Sequence, residues 1–255
     1  GETMRFMECC EGEKRMADKL ELFAKKHIDG HAPGIRGKEV QAYRLAGVEN
    51  DHECSTAEEV LDKLRAGLHI YVREGSGAKN LETLIKTMLD AGVCLDRCAF
   101  CTDDKHVEEI RKEGHISTCI RKAIALGVPV AKAYKMGSYQ AAEFYGLKNY
   151  GAIGAGYRAD IVFLDDLEQV RPLDVMKDGR ILTEEDYAKD YSVPVPDELL
   201  HTVHVGEVTK EKIRLSCDGK TDVIQMNPHQ IVTTHLVEEV PTENGYFKSD
   251  GVYNK

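Results

Sequence analysis

No stretch of the 255-residue chain approaches the roughly 18 uninterrupted apolar residues that a membrane span requires. The opening GETMRFMECCEGEKR also lacks the apolar run of a signal peptide, so the sequence predicts a cytoplasmic protein without a membrane partner. Basic charge is in deficit: 34 Lys+Arg against 44 Asp+Glu leave a formal charge of −10. An acidic chain without a local basic patch has no electrostatic footprint for phosphate backbones, which argues against nucleic-acid binding. Proline is scarce at 7, and with 42% apolar and 31% charged residues the composition is that of an ordinary globular chain that buries a core. Eight cysteines are too few for a disulfide scaffold and read as reduced thiols. Cys98 and Cys101, with Cys94 just upstream, have half the spacing of a zinc knuckle. No second ligand pair matches them, so they read as small buried side chains on a strand.

What is present is a repeated unit of strand, polar strand end, loop and helix. Residues 13–27 (EKRMADKLELFAKKH) place Met16, Leu20 and Phe23 on one helical face, and IDGHAPG follows as a short extended segment with a Gly/Pro loop. GKEVQAYRLAG repeats the pattern. In VENDHECSTAEEVLDKLRAG, Ser55 or Thr56 is placed to cap a helix supported by pairs from Glu58/Glu59 to Lys63. LHIYVREGSGAKN is an apolar, β-branched run ending in a polar glycine loop, NLETLIKTMLDAG is an amphipathic helix closed by Gly92, and CLDRCAFCTDD is a strand ending in two carboxylates. IRKAIALG and the segment from Pro129 complete a helical region.

Polar residues mark successive strand ends at Glu2, His31, His52, Glu74 and Asp103, spaced 29, 21, 22 and 29 residues apart. Such intervals suit consecutive βα units of a parallel sheet or barrel, whose strand ends converge on the face where these folds carry out chemistry. After residue 150 the pattern changes to short strands, with Asp178-Gly179 as a hairpin turn. TEEDYAKDYSVPVPDE reads as a polar linker with two prolines, and residues 199–255 return to short strands. Two histidines and two or more carboxylates at converging strand ends form a ligand set for a hydrolytic divalent metal such as zinc, iron or manganese. Such a metal makes hydroxide available at neutral pH.

The blocks IDGHAPGIRGKEVQAYRLAG, DHECSTAEEVLDKLRAG, YVREGSGAKNLETLI, CAFCTDDKHVEEIRKEGHI and GAIGAGYRADIVFLDDLE closely resemble the adenine deaminases of bacteria and archaea. These are amidohydrolases, metal-dependent enzymes built on a (β/α)8 barrel. The resemblance runs from GETM to HTVHVGEV and HQIVTTHLVEEVP, in matching order and spacing. It implies an α/β fold comprising about strands four to eight of a TIM-like barrel, part of a small β-sandwich and the start of a C-terminal α+β domain. The corresponding boundaries are 1–150 for the partial barrel with its metal site, 151–183 for the sandwich part, 184–200 for a linker and 201–255 for the C-terminal domain. By motif, Glu2 matches the carboxylate that bridges two metals, and His31 and His52 match the ligands ending strands five and six. Asp103 matches the strand-eight aspartate that binds metal and shuttles the proton. Glu2 and Asp103 are thus the catalytic candidates. Arg73, Glu74 and Ser76 would line the purine pocket, while Glu53, Asp104 and His106 lie beside ligands; for all six, substrate contact, a surface ion pair and support of the ligands stay open.

The implied reaction is hydrolysis of adenine to hypoxanthine and ammonia, a purine-salvage step, at a binuclear Mn2+ or Fe2+ centre, by an enzyme that is a homo-oligomer at full length. One departure stands out. The superfamily's His-x-His pair is absent from the 255 residues, and His201-Thr-Val-His204 has the wrong spacing. The expectation is therefore an internal segment of a larger enzyme, inactive alone, with two unpaired sheet edges that favour self-association. Two alternatives stay open: an amidohydrolase acting on a cyclic amide or another aminated heterocycle, and a non-catalytic barrel remnant.

Overall fold

The computed structural model describes residues 2–189 and 192–249. They divide into two compact units, one running to Leu182 and including Pro228–Ile231, the other formed by Thr183–Asn227 with the residues from Val232 onward.

The first unit begins with five short parallel strands: β1 (Glu2–Thr3), β2 (Asp29–Gly30), β3 (Asn50–Asp51), β4 (His69–Arg73) and β5 (Cys98–Cys101). β1 pairs with β2, and β3, β4 and β5 form a second ladder in sequence order. Helices α1 (Phe6–Glu11) and α2 (Lys14–Leu22) link the first pair, α3 (Gly37–Leu45) leads to β3, α4 (Ala57–Arg65) to β4, and α5 (Leu81–Asp90) to β5. This is the strand-and-helix alternation of part of a (β/α)8 barrel. After β5 come α6 (Val107–Glu113), α7 (Ile116–Ala125), α8 (Val130–Gly137) and α9 (Tyr139–Phe144).

Side-chain alternation on β4 shows how the sheet is built. Ile70 and Val72 are fully buried in the main core with Leu81, Leu84, Ile85 and Met88 of α5. Tyr71 packs on the opposite face against Ala99 and Phe144. Period two in the strand thus meets the apolar stripe of a covering helix on one side and leaves the other side for polar and aromatic groups. Each fully buried Leu or Ile contributes about 1.5–3 kcal/mol.

Several local expectations are refined. Thr56, rather than Ser55, caps α4, in a capping box with Glu59. α2 stops at Leu22, leaving Phe23 57% exposed instead of on a buried face; the following Lys25 and Lys26 offer no apolar surface to extend it. The Glu59–Lys63 pair lies in the interior, with Lys63 fully buried, because α4 turns that face towards the strand ends. Cys98 packs against Met88, and burial pushes its thiol up to about 12. Cys101 shares the strand, whereas Cys94 is exposed just before it.

The remainder of the first unit is an antiparallel sheet of β6 (Ile161–Asp166), β7 (Arg171–Lys177) and β8 (Arg180–Ile181). Asp178 and Gly179, both at positive φ, make the expected hairpin turn between β7 and β8. In the second unit the expected linker carries two short helices, α10 (Glu184–Ala188), capped by Thr183, and α11 (Asp197–Leu200). Asp190 and Tyr191, in the linker, and residues 250–255, in the expected C-terminal domain, lie outside the described residues. Helix α12 (Lys210–Ile213) precedes a hairpin of β9 (Lys220–Met226) and β10 (Thr233–Glu239), followed by β11 (Thr242–Glu243) and β12 (Tyr246–Phe247). Among the described residues, no helix is long and apolar enough to cross a membrane.

Candidate metal centre

The C-terminal ends of the parallel strands bring together Glu2, His31, His52, Glu53 and Asp103, although 101 positions separate the first from the last. Glu2, His31 and His52 offer one donor atom each within 4.8 Å of one another, and so do His52, Glu53 and Asp103. The His31 and His52 rings meet edge to face with centroids 5.5 Å apart. His31 Nδ1 lies 3.4 Å from Glu2 Oε2 and 3.3 Å from Glu53 Oε1, while His52 Nε2 lies 3.9 Å from Glu2 Oε1 and 3.2 Å from Glu53 Oε1.

Backbone geometry places these groups. Asp103 has φ 48°, a left-handed conformation that aspartate tolerates better than most residues, where the chain turns out of β5. The loop after β4 is glycine for a steric reason: a Cβ on Gly75 would lie 1.8 Å from Asp104 Oδ1. Gly77 N–H then donates to Asp104 Oδ2 at 2.7 Å. Arg73, at the end of β4, projects into the acidic cluster and contacts Glu53 at 2.7 Å, Asp103 at 2.8 Å and Asp104 at 3.1 Å.

The electrostatics follow from burial and proximity. Burial disfavours a charged imidazole at His52, but the hydrogen bond and charge of Glu53 outweigh it and raise the His52 pKa. Burial would likewise raise Glu53, yet His52 and Arg73 hold its carboxyl below the usual range. At Asp104 the Gly77 amide and Arg73 overcome partial burial and lower the carboxyl.

The donor set fits a divalent cation. His31 Nδ1 and Glu53 Oε2 are buried polar atoms that make no hydrogen bond, although His31 Nδ1 lies 3.4 Å from Glu2 Oε2 and 3.3 Å from Glu53 Oε1. Buried polar groups are normally satisfied, and imidazole and carboxylate lone pairs converging in this way suit zinc, iron or manganese. A cavity of about 230 Å³ opens beside the cluster, lined by Glu2, His52 and Asp103 together with Asp29, Asn50, Tyr71, Phe100, Cys101 and Tyr145.

The other candidate residues lie elsewhere. Glu74 is buried and faces Lys122 at 2.5 Å, with its second oxygen towards the Leu81 amide at the start of α5. Ser76 donates to Glu109 and accepts from the His106 amide, and His106 is exposed at the start of α6. His201 and His204 are exposed in the second unit and join neither donor group found among the described residues.

Sequence reasoning passed over the supporting residues. Tyr43, fully buried on α3, accepts from the His31 amide and donates to the Thr3 carbonyl, tying the strand of His31 to that of Glu2. Asp51 and Lys63 form a fully buried ion pair at 3.0 Å beside His52. The adjacency of Asp51 to His52 was a legible signal; nothing in the pattern of α4 marked Lys63 as internal.

Residues 12–182 match the model of the amidohydrolase family. The chain is 39% identical over 256 residues to the adenine deaminase of Desulfitobacterium hafniense (strain Y51), covering 100% of this chain and 45% of that one. It is 39% identical over 255 residues to the adenine deaminase of Clostridium acetobutylicum, covering 98% and 44%. It therefore spans less than half the length of these curated relatives. Among solved structures, the β-aspartyl dipeptidase of Fervidobacterium islandicum AW-1 superposes with TM-score 0.52 at 18% identity, covering 72% of this chain and 56% of that one. The N-acetyl-D-glucosamine-6-phosphate deacetylase of Mycobacterium smegmatis gives 0.51 at 14%, covering 67% and 52%. At such identities these two speak for the fold alone. Together with the converging strand ends, the family match leads to one conclusion: the chain belongs to the amidohydrolase family.

Proposed function

We propose that these residues carry the metal-binding half of an adenine deaminase site, which hydrolyses adenine to hypoxanthine and ammonia in purine salvage. The observation that carries this reading is the pair of donor groups, Glu2–His31–His52 and His52–Glu53–Asp103, that share His52, with His31 Nδ1 buried and without a hydrogen bond. The substrate assignment draws support from the adenine deaminases at 36–39% identity.

In this reading Glu2, His31, His52 and Asp103 would hold a binuclear Mn2+ or Fe2+ centre, which would supply Lewis acidity and lower the pKa of a water towards neutral. Glu2 and Asp103 are the catalytic residues. Asp103 stands at the open rim, 39% exposed, where its carboxylate takes the proton of the attacking water and returns it to the departing amine. Arg73, contacting Asp103 at 2.8 Å, fixes the direction of that carboxylate. Glu53 spans both imidazoles and Arg73, orienting the rings. Glu53, Arg73 and Asp104 face the substrate from beside the ligands, and Glu74, Ser76 and His106 shape the loop that borders it.

We also read residues 1–150 as the partial barrel, 151–183 as part of a small β-sandwich, 184–200 as a linker and 201–255 as the start of a C-terminal domain. The separate β6–β7–β8 sheet and the division after Leu182 support this. The charge of −10 supports the reading that nucleic acid and anionic membrane are not partners, and the full-length enzyme is proposed to be a cytoplasmic homo-oligomer.

An ammonia-release assay tests the reading. The Mn2+-loaded full-length protein is expected to deaminate adenine and to lose at least about 100-fold in kcat with Asp103→Asn. The 255-residue chain is expected to be no faster than its His31→Ala variant. Ammonia release from another heterocycle, with adenine untouched, would overturn the substrate assignment.

A further inference from the structure

His31 and His52 sit on neighbouring strands that belong to different hydrogen-bonded ladders, since the sheet is interrupted between β2 and β3. Side chains cross the interruption. Asn50 accepts from the Gly30 amide at 2.7 Å and donates to Asp29 at 2.5 Å. One step nearer the ligands, Asp51 Oδ2 accepts the Ala32 amide at 2.8 Å and Asp51 Oδ1 accepts the Glu53 amide at 2.8 Å. The peptide groups that follow His31 and His52 therefore end on the two oxygens of one carboxylate. Lys63 completes the arrangement from α4, donating to Asp51 Oδ1 at 3.0 Å and to the Ala32 carbonyl at 2.7 Å, with Glu59 at 3.9 Å. Lys63 and Asp51 are both fully buried.

We propose that the Lys63–Asp51 pair is a positioning device that sets the spacing between His31 and His52, and through it the affinity of the site for a divalent cation. The inference rests on the metal-centre reading above. Metal bonds from imidazole are about 2.0–2.1 Å long, so ligands held within a fraction of an ångström in advance bind more tightly than ligands that must be gathered. A β-ladder would normally fix two adjacent strand ends; here one backbone hydrogen bond, from the Glu49 amide to the Ile28 carbonyl at 3.1 Å, joins the segments just before β2 and β3, and at the ligand end the ion pair takes the place of the ladder. Net stability gives a weak reason for such a pair, because apolar residues of similar volume often serve the fold as well as a buried salt bridge. Its contacts with three backbone groups adjoining the two ligands give a specific one.

The test measures Mn2+ binding to the 255-residue chain by the electron paramagnetic resonance signal of free Mn2+, with near-ultraviolet circular dichroism as the check on folding. Lys63→Met is expected to weaken Mn2+ binding by about 10–100-fold. The double variant Lys63→Met/Asp51→Asn removes both charges of the pair and keeps one acceptor, while Glu59 retains its hydrogen bonds from the Gly34, Ser55 and Thr56 amides. It decides the matter if the single variant fails to fold, and is expected to fold and still bind weakly. Lys86→Met, which removes a lysine from a solvent-facing pair with Glu82, is expected to leave binding unchanged. A folded Lys63→Met or double variant with Mn2+ affinity within twofold of the parent would overturn the proposal and leave the pair as a scaffold element. A different result, parent and His31→Ala chains equally unable to bind Mn2+, would overturn the metal-centre reading itself and this inference with it.

Discussion

The parallel strands of the first unit and the β9–β10 hairpin of the second make opposite use of apolar residues. Around β4, Ile70, Val72, Leu81, Leu84 and Ile85 are fully buried, because helices cover one face of the sheet along its length. On the hairpin, Ile224 is 74% exposed and Met226 76%, and Val240, just beyond β10, is a buried hydrophobic residue in a unit whose strands are otherwise mostly open. A two-stranded ribbon has no second layer to enclose its side chains and is marginal by itself. Apolar content therefore does not make a core; a covering layer does.

Substitutions should expose that contrast. The largest expected effect is from Leu84→Ala, which is expected to cost about 2–5 kcal/mol in urea unfolding of the first unit. Ile224→Ala on the open hairpin is expected to change stability by no more than about 0.5 kcal/mol. Equal losses at both sites would show that the hairpin is enclosed in solution. Next comes Gly30→Ala, where the added methyl would sit 2.0 Å from the Asn50 carbonyl oxygen. It should cost about 1–3 kcal/mol and disturb the β2–β3 approach, and an unchanged unfolding midpoint would mean that the two strands do not approach so closely.

The inner face of the sheet should differ from the helix-covered face in its response to pH. Burial, then the charges of Arg97 and Arg44, push His69 down to about 4 from 6.5. A depressed histidine stabilises the fold above its unfolded pKa, and this contribution is lost as pH falls through the window from 6.5 to about 4. Between pH 7 and 5 the loss from this residue should be about 1–2 kcal/mol, and His69→Gln should flatten it. Parallel pH profiles for parent and variant would count against a depressed His69. The smallest effect is local: Thr56→Ala removes half of the capping box on α4 and should cost about 1 kcal/mol.

Much of the architecture was legible because it is local. The apolar, β-branched run in HIYVR, the cap at Ser55 or Thr56, the glycine closing α5 and the Asp178-Gly179 turn each report a preference that neighbouring residues set. The strand ends at Glu2, His31, His52 and Asp103 were legible through their spacing and motifs, and the structure places them in two donor groups that share His52, the second completed by Glu53. The early end of α2, the short helices inside the polar linker and the inward face of Lys63 were not. A Glu-to-Lys pair four residues apart looks the same in sequence whether it faces water or the interior.

By itself the sequence determined the order of elements, the chemistry of the ligand candidates and their phase at successive strand ends, because periodicity, capping and turn formation act over a few residues. Only the tertiary structure decided that Glu53 joins the histidines, that Arg73 bridges three carboxylates, and that Asp51 and Lys63 cross the break between β2 and β3. These relations depend on which helix face turns inward and how closely two strands approach. Packing of the whole sheet settles both, through contacts between residues 12–31 positions apart that no local preference encodes.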